Sequence, residues 1–271
     1  DREVTEISAF SFMGNQIITS IDLTYAHNLT KIGASAFDGC INLRKVTLNS
    51  GLSNIGSHAF YKCTSLKDIV FPDTLVYIGG SAFQHSGLET VILPNSVTTI
   101  GRYDAGYAFA DCTSLSSVTL SSGITSIPEC AFDECTALFT ITIPDSVTHI
   151  ADNAFRNCSL LSSIELGSVQ TIGKYVFSNC TSLISIVLPA TVTELGSYVF
   201  AGCNALKTIT CNAVTAPTIT SDTFSGVPQY GKLNYPAGSI ISTWLNLAPY
   251  YLGYQKWNTT PPEEDDDEKN K

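Results

Sequence analysis

The apolar residues of this chain recur in a short phrase that reads L-x-x-I-x-L. In Leu138-Phe-Thr-Ile141-Thr-Ile143, for example, the last three positions alternate between an apolar and a polar side chain, which is the period of a β-strand. One such strand cannot bury its apolar side alone, so repetition of the phrase predicts coils whose strands stack in parallel around one core. A tenth, weaker copy is Leu233-Asn-Tyr235-Pro236, and the nine clear copies are centred on Ile21, Val46, Ile69, Val91, Val118, Ile141, Ile164, Ile186 and Ile209.

A second phrase, which reads A-F-x-x-C or V-F-x-x-C, separates successive strands and gives a repeat of about 23 residues. We expect each phenylalanine to fill the core at a corner made of a single helical or 3₁₀ turn, because the segment is too short for a longer helix. The phenylalanine recurs at Phe10, Phe37, Phe60, Phe83, Phe109, Phe132, Phe155, Phe177 and Phe200, with Phe224 in a looser context. The cysteine recurs at Cys40, Cys63, Cys112, Cys135, Cys158, Cys180 and Cys203.

A third phrase, V-T-x-I-G, closes each unit, and proline follows the strand in five units. Proline has no N–H for a strand ladder and ends each strand at the same place, while glycine allows a tight corner. The pattern predicts about ten repeats over residues 1–236. Residues 237–260 contain both tryptophans and read as a C-terminal cap, with a short helix expected around 239–247, and residues 261–271 read as an acidic flexible tail.

Units that read AFxxCxxLxxIxLPxxVTxIG resemble the BspA-type leucine-rich repeats of bacterial surface proteins. The resemblance covers most of the chain and returns in unit after unit. It implies a leucine-rich repeat solenoid that is curved, with a parallel β-sheet on its concave face and short turns and loops elsewhere. It also implies an extracellular or cell-surface location, and some members of the family act as adhesins for host matrix proteins. The family lends no catalytic residues.

The cysteines and histidines suggest chemistry but do not form a site. Seven of nine cysteines share one repeat position, and Ser86 takes that position in another unit, so a buried column of small side chains explains them. Neighbouring coils about 4.8 Å apart would permit a disulfide, but each inner cysteine has two equivalent neighbours. No C-x-x-C pair supports zinc. His27, His58, His85 and His149 fall at four different repeat positions, so we expect no catalytic residue, metal or cofactor.

Composition excludes two classes of partner. The formal net charge is −10, and the chain has no basic cluster, which argues against nucleic acid and against anionic membrane surfaces. No run of 18 apolar residues occurs, so no transmembrane segment is predicted.

A ligand is expected on the outward positions of the concave sheet. Small hydroxyl residues occupy most of these positions, and apolar side chains interrupt them, which is typical of an interaction surface although strands favour such residues anyway. The candidate residues are Val70, Ile92, Thr119, Phe139, Thr142, Ile184 and Val187.

An insertion gives a second candidate. Between isoleucine and phenylalanine most units have four residues, but the unit that begins at Ile100 has eight. The added residues include Arg102, Tyr103, Asp104 and Tyr107, and tyrosine and arginine are common in interfaces. A neutral surface insertion is the alternative, because loops tolerate length changes at low cost.

These patterns predict a non-catalytic binding protein that recognises a protein or glycoprotein of a host or neighbouring cell through its concave sheet. Two alternatives stay open: a structural spacer in a larger surface assembly, and a carbohydrate-binding module that uses exposed aromatic rings. A monomer or a weak homodimer is expected.

Overall fold

The computed structural model describes residues 4–101, 106–228 and 231–236, and in them the chain winds into a parallel β-solenoid. Each coil contributes up to two short strands, one on each of two faces that enclose a common core and are called here the front sheet and the back sheet. Hydrogen bonding divides the front sheet into three segments and the back sheet into two. The predicted cap and acidic tail, residues 237–271, lie outside the described residues.

The front sheet is built from the L-x-x-I-x-L phrases and is the sheet predicted for the concave face. Like positions pair with like, as in Ile141 with Ile164 and Ile186 with Ile209, so the strand register follows the repeat. The weak tenth phrase is also a strand, because Leu233 pairs with Ile209. With strands numbered in chain order, the front sheet contains β2 (Ser20–Asp22), β4 (Lys45–Thr47), β7 (Thr90–Ile92), β9 (Ser117–Thr119), β11 (Thr140–Thr142), β13 (Ser163–Glu165), β15 (Ser185–Leu188), β17 (Thr208–Cys211) and β18 (Lys232–Asn234).

The back sheet is built from the V-T-x-I-G phrases, which sequence analysis assigned only to corners. The glycine lets neighbouring coils approach closely, since a Cβ on Gly79 would lie 2.4 Å from the backbone nitrogen of Ser57 in the preceding coil. The back sheet contains β1 (Glu6–Ile7), β3 (Lys31–Ile32), β5 (Asn54–Ile55), β6 (Tyr77–Ile78), β8 (Thr99–Ile100), β10 (Ser126–Ile127), β12 (His149–Ile150), β14 (Thr171–Ile172) and β16 (Glu194–Leu195).

The expected helical or 3₁₀ turns are absent from the described residues, which contain no helix. The A-F-x-x-C segments form consecutive turns because residues two positions before and two after each phenylalanine have left-handed φ, as in Cys130 (φ 51°) and Glu134 (φ 59°). Alternation of right- and left-handed residues turns successive N–H groups in different directions. The Phe132 N–H donates to Ala154 O of the next coil at 2.9 Å, whereas the Cys135 N–H donates within its own coil to Phe132 O at 3.2 Å.

The phenylalanines form one continuous column of stacked rings. Consecutive ring centroids are 5.1 to 6.0 Å apart, with planes within 17° of parallel. At the N-terminal end the prediction of Phe10 was wrong. Phe12 stacks on Phe37, while Phe10 is 62% exposed and takes the left-handed position two residues before the column. A phenylalanine at both positions made the sequence ambiguous at that point.

The cysteine column lies beside the rings, and its seven cysteines are free and buried, as the sequence predicted. Cys130 and Cys211, which lie outside the column, are free and buried as well. The structure adds a partner for each column thiol. Cys135 Sγ donates to Phe109 O of the preceding coil at 3.2 Å, and Cys158 Sγ donates to Phe132 O at 3.2 Å. Burial raises the pKa of the Cys112 thiol to about 12 and holds the pKa of the Cys135 thiol well above its usual range, which disfavours the reactive thiolate.

One pair of phenylalanines tests whether the ring column stabilises the fold. Phe132 is fully buried in the column, and Phe139, seven residues further on, is 59% exposed. Because truncation of a packed ring loses burial and leaves a cavity, Phe132→Ala is expected to lower the free energy of unfolding by about 3–5 kcal/mol. Phe139→Ala is the matched control, with an expected change of about 0.5 kcal/mol or less.

Urea unfolding of the two variants and the parent chain measures both values. Equal destabilisation by the two substitutions would show that the column has no special role.

Candidate binding surface

All seven residues predicted for the ligand-binding face lie on the solvent side of the front sheet, and all are exposed. The inward residues between them, such as Val91 and Ile141, are buried. Strand alternation therefore holds four of the candidate side chains on one surface, namely Ile92, Thr119, Thr142 and Val187. Phe139 and Ile184 directly precede strands, and Val70 lies in a coil without a front strand.

The exposed apolar side chains form two groups along this surface. The N-terminal patch consists of Val70 and Ile92, which are 83% and 68% exposed and lie on consecutive coils. The C-terminal patch lies on three further consecutive coils. It consists of Phe139, Leu160, Ile184 and Val187, each at least 50% exposed.

Leu160 belongs to the C-terminal patch but escaped the sequence prediction. It precedes strand β13 and so lies outside the alternating strand positions. Comparison of the repeats could have identified Leu160, because most other units place a small residue at the same position. These equivalents are Asn42, Ser65, Ser114, Ala137, Ser182 and Ala205.

Of the two threonines among the candidates, Thr119 lies on strand β9 between the patches, and Thr142 lies on strand β11 in the same coil as Phe139. Thr142 Oγ1 donates to Glu165 Oε2 of the next coil at 3.1 Å, so one exposed carboxylate near the C-terminal patch already has a partner. On the adjacent column Thr140 and Ser163 share a hydroxyl hydrogen bond of 3.1 Å. Hydroxyl groups and the Glu165 carboxylate therefore accompany the apolar side chains of the C-terminal patch.

The front sheet is interrupted at the N-terminal patch. Residues 68–71 form no strand, and in the described part of the chain their backbone groups make no backbone hydrogen bond to either neighbouring coil. The nearest ladder bond on this side runs from Glu89 N–H to Lys67 O at 2.9 Å. The interruption coincides with Phe71, whose ring replaces the leucine of neighbouring coils and packs edge-on against Phe83 at 5.6 Å.

A cleft of about 340 Å³ opens at this interruption. It combines apolar side chains, the unpaired backbone of residues 68–70 and opposite charges on Lys45 and Asp68. Nearby, Lys67 Nζ lies 2.9 Å from Glu89 Oε1. Such a site can bind an apolar group and also hydrogen-bond to a ligand's backbone or polar groups. Its lining residues are Lys45, Val46, Thr47, Leu48, Ser50, Asp68, Ile69, Val70 and Pro72.

The insertion gives a different picture. Arg102, Tyr103 and Asp104 lie outside the described residues, and Tyr107 is held by the scaffold. Tyr107 is 37% exposed, and its backbone N–H donates to Glu129 O at 3.0 Å. A hydrogen bond to Cys130 is the main cause that raises the pKa of Tyr107 to about 12. Tyr107 therefore packs against the next coil. It is less available to a ligand than a residue of a free loop, which is what the sequence predicted.

In the part of the chain that the structure describes, His85 and His149 have separate polar partners. His149 Nδ1 pairs with the Thr171 hydroxyl, and His85 Nε2 lies 3.6 Å from Asp111 Oδ2, on different parts of the coil. Among residues 4–101, 106–228 and 231–236, no group of histidine, cysteine and carboxylate side chains is arranged to hold a metal ion. Nor does any helix in these ranges have the length and apolar character needed to span a membrane.

Comparison with known proteins agrees with this architecture. The family described as BspA type leucine rich repeat region matches residues 1–104 and 105–230 with six copies of its repeat. A leucine-rich repeat protein from Bacteroides ovatus is 29% identical, with a TM-score of 0.73 over 86% of this chain. The chain spans 59% of the length of that protein. No curated protein sequence matches the chain.

Two further solved structures are similar. A leucine-rich repeat protein from T. pallidum is 32% identical, with a TM-score of 0.48, and the match covers 66% of this chain and 72% of that one. A leucine-rich repeat protein from Eubacterium ventriosum is 22% identical, with a TM-score of 0.53, and the match covers 96% of this chain and 71% of that one. The latter likeness concerns the fold.

The interruption of the front sheet predicts a local difference in amide protection. Amides of Asp68, Ile69 and Val70 lack ladder hydrogen bonds, whereas those of Thr140, Ile141 and Thr142 belong to a strand that is paired on both sides. Hydrogen–deuterium exchange at the first three amides is expected to be faster by roughly a hundredfold or more. Equal protection of the two segments would show that the front sheet is continuous through the N-terminal patch.

Proposed function

The chain belongs to the BspA-type leucine-rich repeat family, and we propose that it is a surface-associated binding module that recognises a protein or glycoprotein of a host or neighbouring cell. The ligand lies across the outward side of the front sheet and contacts both the N-terminal and the C-terminal patch. No step of this function requires catalysis or a cofactor. The protein works outside the cell or on its surface.

The observation that carries this proposal is the placement of large apolar side chains on a sheet whose other outward positions are mostly small hydroxyl residues. Val70 and Phe139 leave more than half of their surface in water, although the adjacent residues Ile69 and Leu138 are buried in the core. Exposed apolar groups of this kind are typical of interaction surfaces, because burial against a partner recovers the hydrophobic free energy.

The distance between the patches indicates the size of the partner. Val70 and Val187 occupy equivalent positions that are five coils apart, which corresponds to roughly 24 Å at the usual spacing of neighbouring strands. A small molecule cannot contact both patches at once. A folded protein domain or a glycoprotein can, and the hydroxyl groups between the patches supply hydrogen bonds around the apolar contacts.

Biolayer interferometry against laminin, collagen and mucin tests the proposal. The variant carries Val70→Glu, Ile92→Glu and Val187→Glu, which place three charges on the patches without touching the core. Burial of unpaired carboxylates against a ligand is unfavourable, so the dissociation constant is expected to rise by about a hundredfold or more.

A matched control places three charges on the back sheet through Asn54→Glu, Thr148→Glu and Thr193→Glu. It is expected to bind like the parent chain, and the urea midpoint of both variants confirms that they fold. Binding lost only in the back-sheet variant would contradict the proposal. Saturable binding to none of the three proteins would favour the spacer function.

A further inference from the structure

The back sheet has an interruption of its own, and it differs chemically from the surface described above. At regular coils, two residues of the V-T-x-I-G phrase each donate a backbone N–H to a carbonyl of the preceding coil. Thus Gln170 N–H donates to Thr148 O at 2.8 Å, and Gly173 N–H donates to Ile150 O at 2.8 Å. Strands β8 and β10 lie on consecutive coils but do not pair.

The sequence explains one missing bond. Pro128 stands where most other coils have glycine or alanine, and proline has no N–H to donate to Ile100 O. Within the described residues, Thr98 O also receives no backbone hydrogen bond, and the N–H groups of Thr125 and Ser126 donate none to it. As far as the described residues extend, one rim of the gap therefore presents acceptors without a backbone partner, and the other presents donors without one.

The gap is short because the two coils meet again on either side of it. Ser121 Oγ donates to Val97 O at 2.6 Å before the gap, and Tyr107 N–H donates to Glu129 O at 3.0 Å after it. Gly106 permits the second contact, since a Cβ there would lie 1.7 Å from Glu129 O. Between these closures lies a cleft of about 690 Å³.

The lining of the cleft is rich in groups that bind hydroxyls. Thr98, Thr99, Thr125 and Ser126 contribute side-chain hydroxyls, which both donate and accept. Glu129 contributes a carboxylate, His149 an imidazole and Tyr77 a phenol ring.

We propose that this cleft binds a single neutral hexopyranose unit of a glycan. Sugar hydroxyls donate to Thr98 O and Ile100 O on one rim and accept from the N–H groups of Thr125 and Ser126 on the other. The Glu129 carboxylate accepts from two adjacent hydroxyls, in charge-assisted hydrogen bonds. The apolar face of the sugar packs on Tyr77, whose ring is apolar with one polar end.

An extended peptide that completes the ladder is the other ligand with matching donors and acceptors. A peptide strand, however, has to continue beyond both ends of its paired segment. Here the coils close on Val97 at one end and on Glu129 at the other, so a straight strand has no path through the sheet. A pyranose ring ends within the gap and fits these closures.

The cleft is independent of the proposed function. Its residues belong to the back sheet, while the ligand of the front sheet contacts the other side of the core. The two proposals are therefore tested with different variants, and each can fail without the other.

Saturation-transfer NMR and calorimetry test the sugar site with three probes: methyl α-mannoside, methyl β-glucoside and methyl β-galactoside, each at about 10 mM, since affinities for single sugars are weak. At least one glycoside is expected to bind. Glu129→Gln keeps the side-chain shape but removes the charge, and it is expected to weaken binding about tenfold. Pro128→Gly restores an N–H opposite Ile100 O and is expected to abolish binding by closing the ladder.

Glu194→Gln is the matched control, because Glu194 is an exposed carboxylate on the same sheet and remote from the cleft. It is expected to leave binding unchanged. The proposal is overturned if no glycoside binds the parent chain, or if neither Glu129→Gln nor Pro128→Gly weakens the binding. It is also overturned if a capped four-residue peptide of alternating threonine and valine binds in place of the sugars.

Discussion

The structure depends on the hydrogen bonds that join the A-F-x-x-C turn of each coil to the turn of the next. These bonds require residues of alternating handedness, and non-glycine residues such as Cys130 and Glu134 accept a left-handed φ to make them. The left-handed conformation is unfavourable for each residue, but it lets the backbone of a turn pair with its neighbour as a strand does. Phenylalanine stacking and the thiol–carbonyl hydrogen bonds of the cysteine column then fill the same corner.

Because the turns stack in a fixed register, they restrict the positions at which the sequence of each coil can vary. Because inward positions of both sheets must match from coil to coil, sequence differences accumulate on outward positions and at places where the ladder is broken. Both kinds of difference occur here. The apolar patches lie on outward positions of the front sheet, and Phe71 and Pro128 accompany two of the three interruptions at which strands of successive coils do not pair. The candidate sites are therefore departures from a repeat that otherwise specifies only structure.

The repeat itself could be predicted from the sequence, because side-chain alternation in phrases such as Leu138–Ile143 identifies inward and outward positions without coordinates. The burial of the cysteine column followed from the same regularity. The back sheet was missed, since its strands have two residues each and their phrase ends in glycine, which indicates a corner as readily as a strand. The left-handed residues were missed because they include serine, tyrosine and lysine, whose types do not reveal the conformation. The cleft beside Pro128 could not be predicted, because the back-sheet hydrogen bond that proline removes was itself not predicted.

Deletion of one whole coil tests most directly whether the turn column holds the structure together. Removal of residues 136–158, which are 23 residues or one repeat, joins Cys135 to Ser159 and keeps every column in register. We expect this chain to keep the circular dichroism of a β-protein and a cooperative urea transition. Removal of residues 136–147 takes out about half a coil and is expected to abolish both, since phenylalanine and strand positions no longer align. If the two deletions behave alike, stacking in register is not what stabilises the fold.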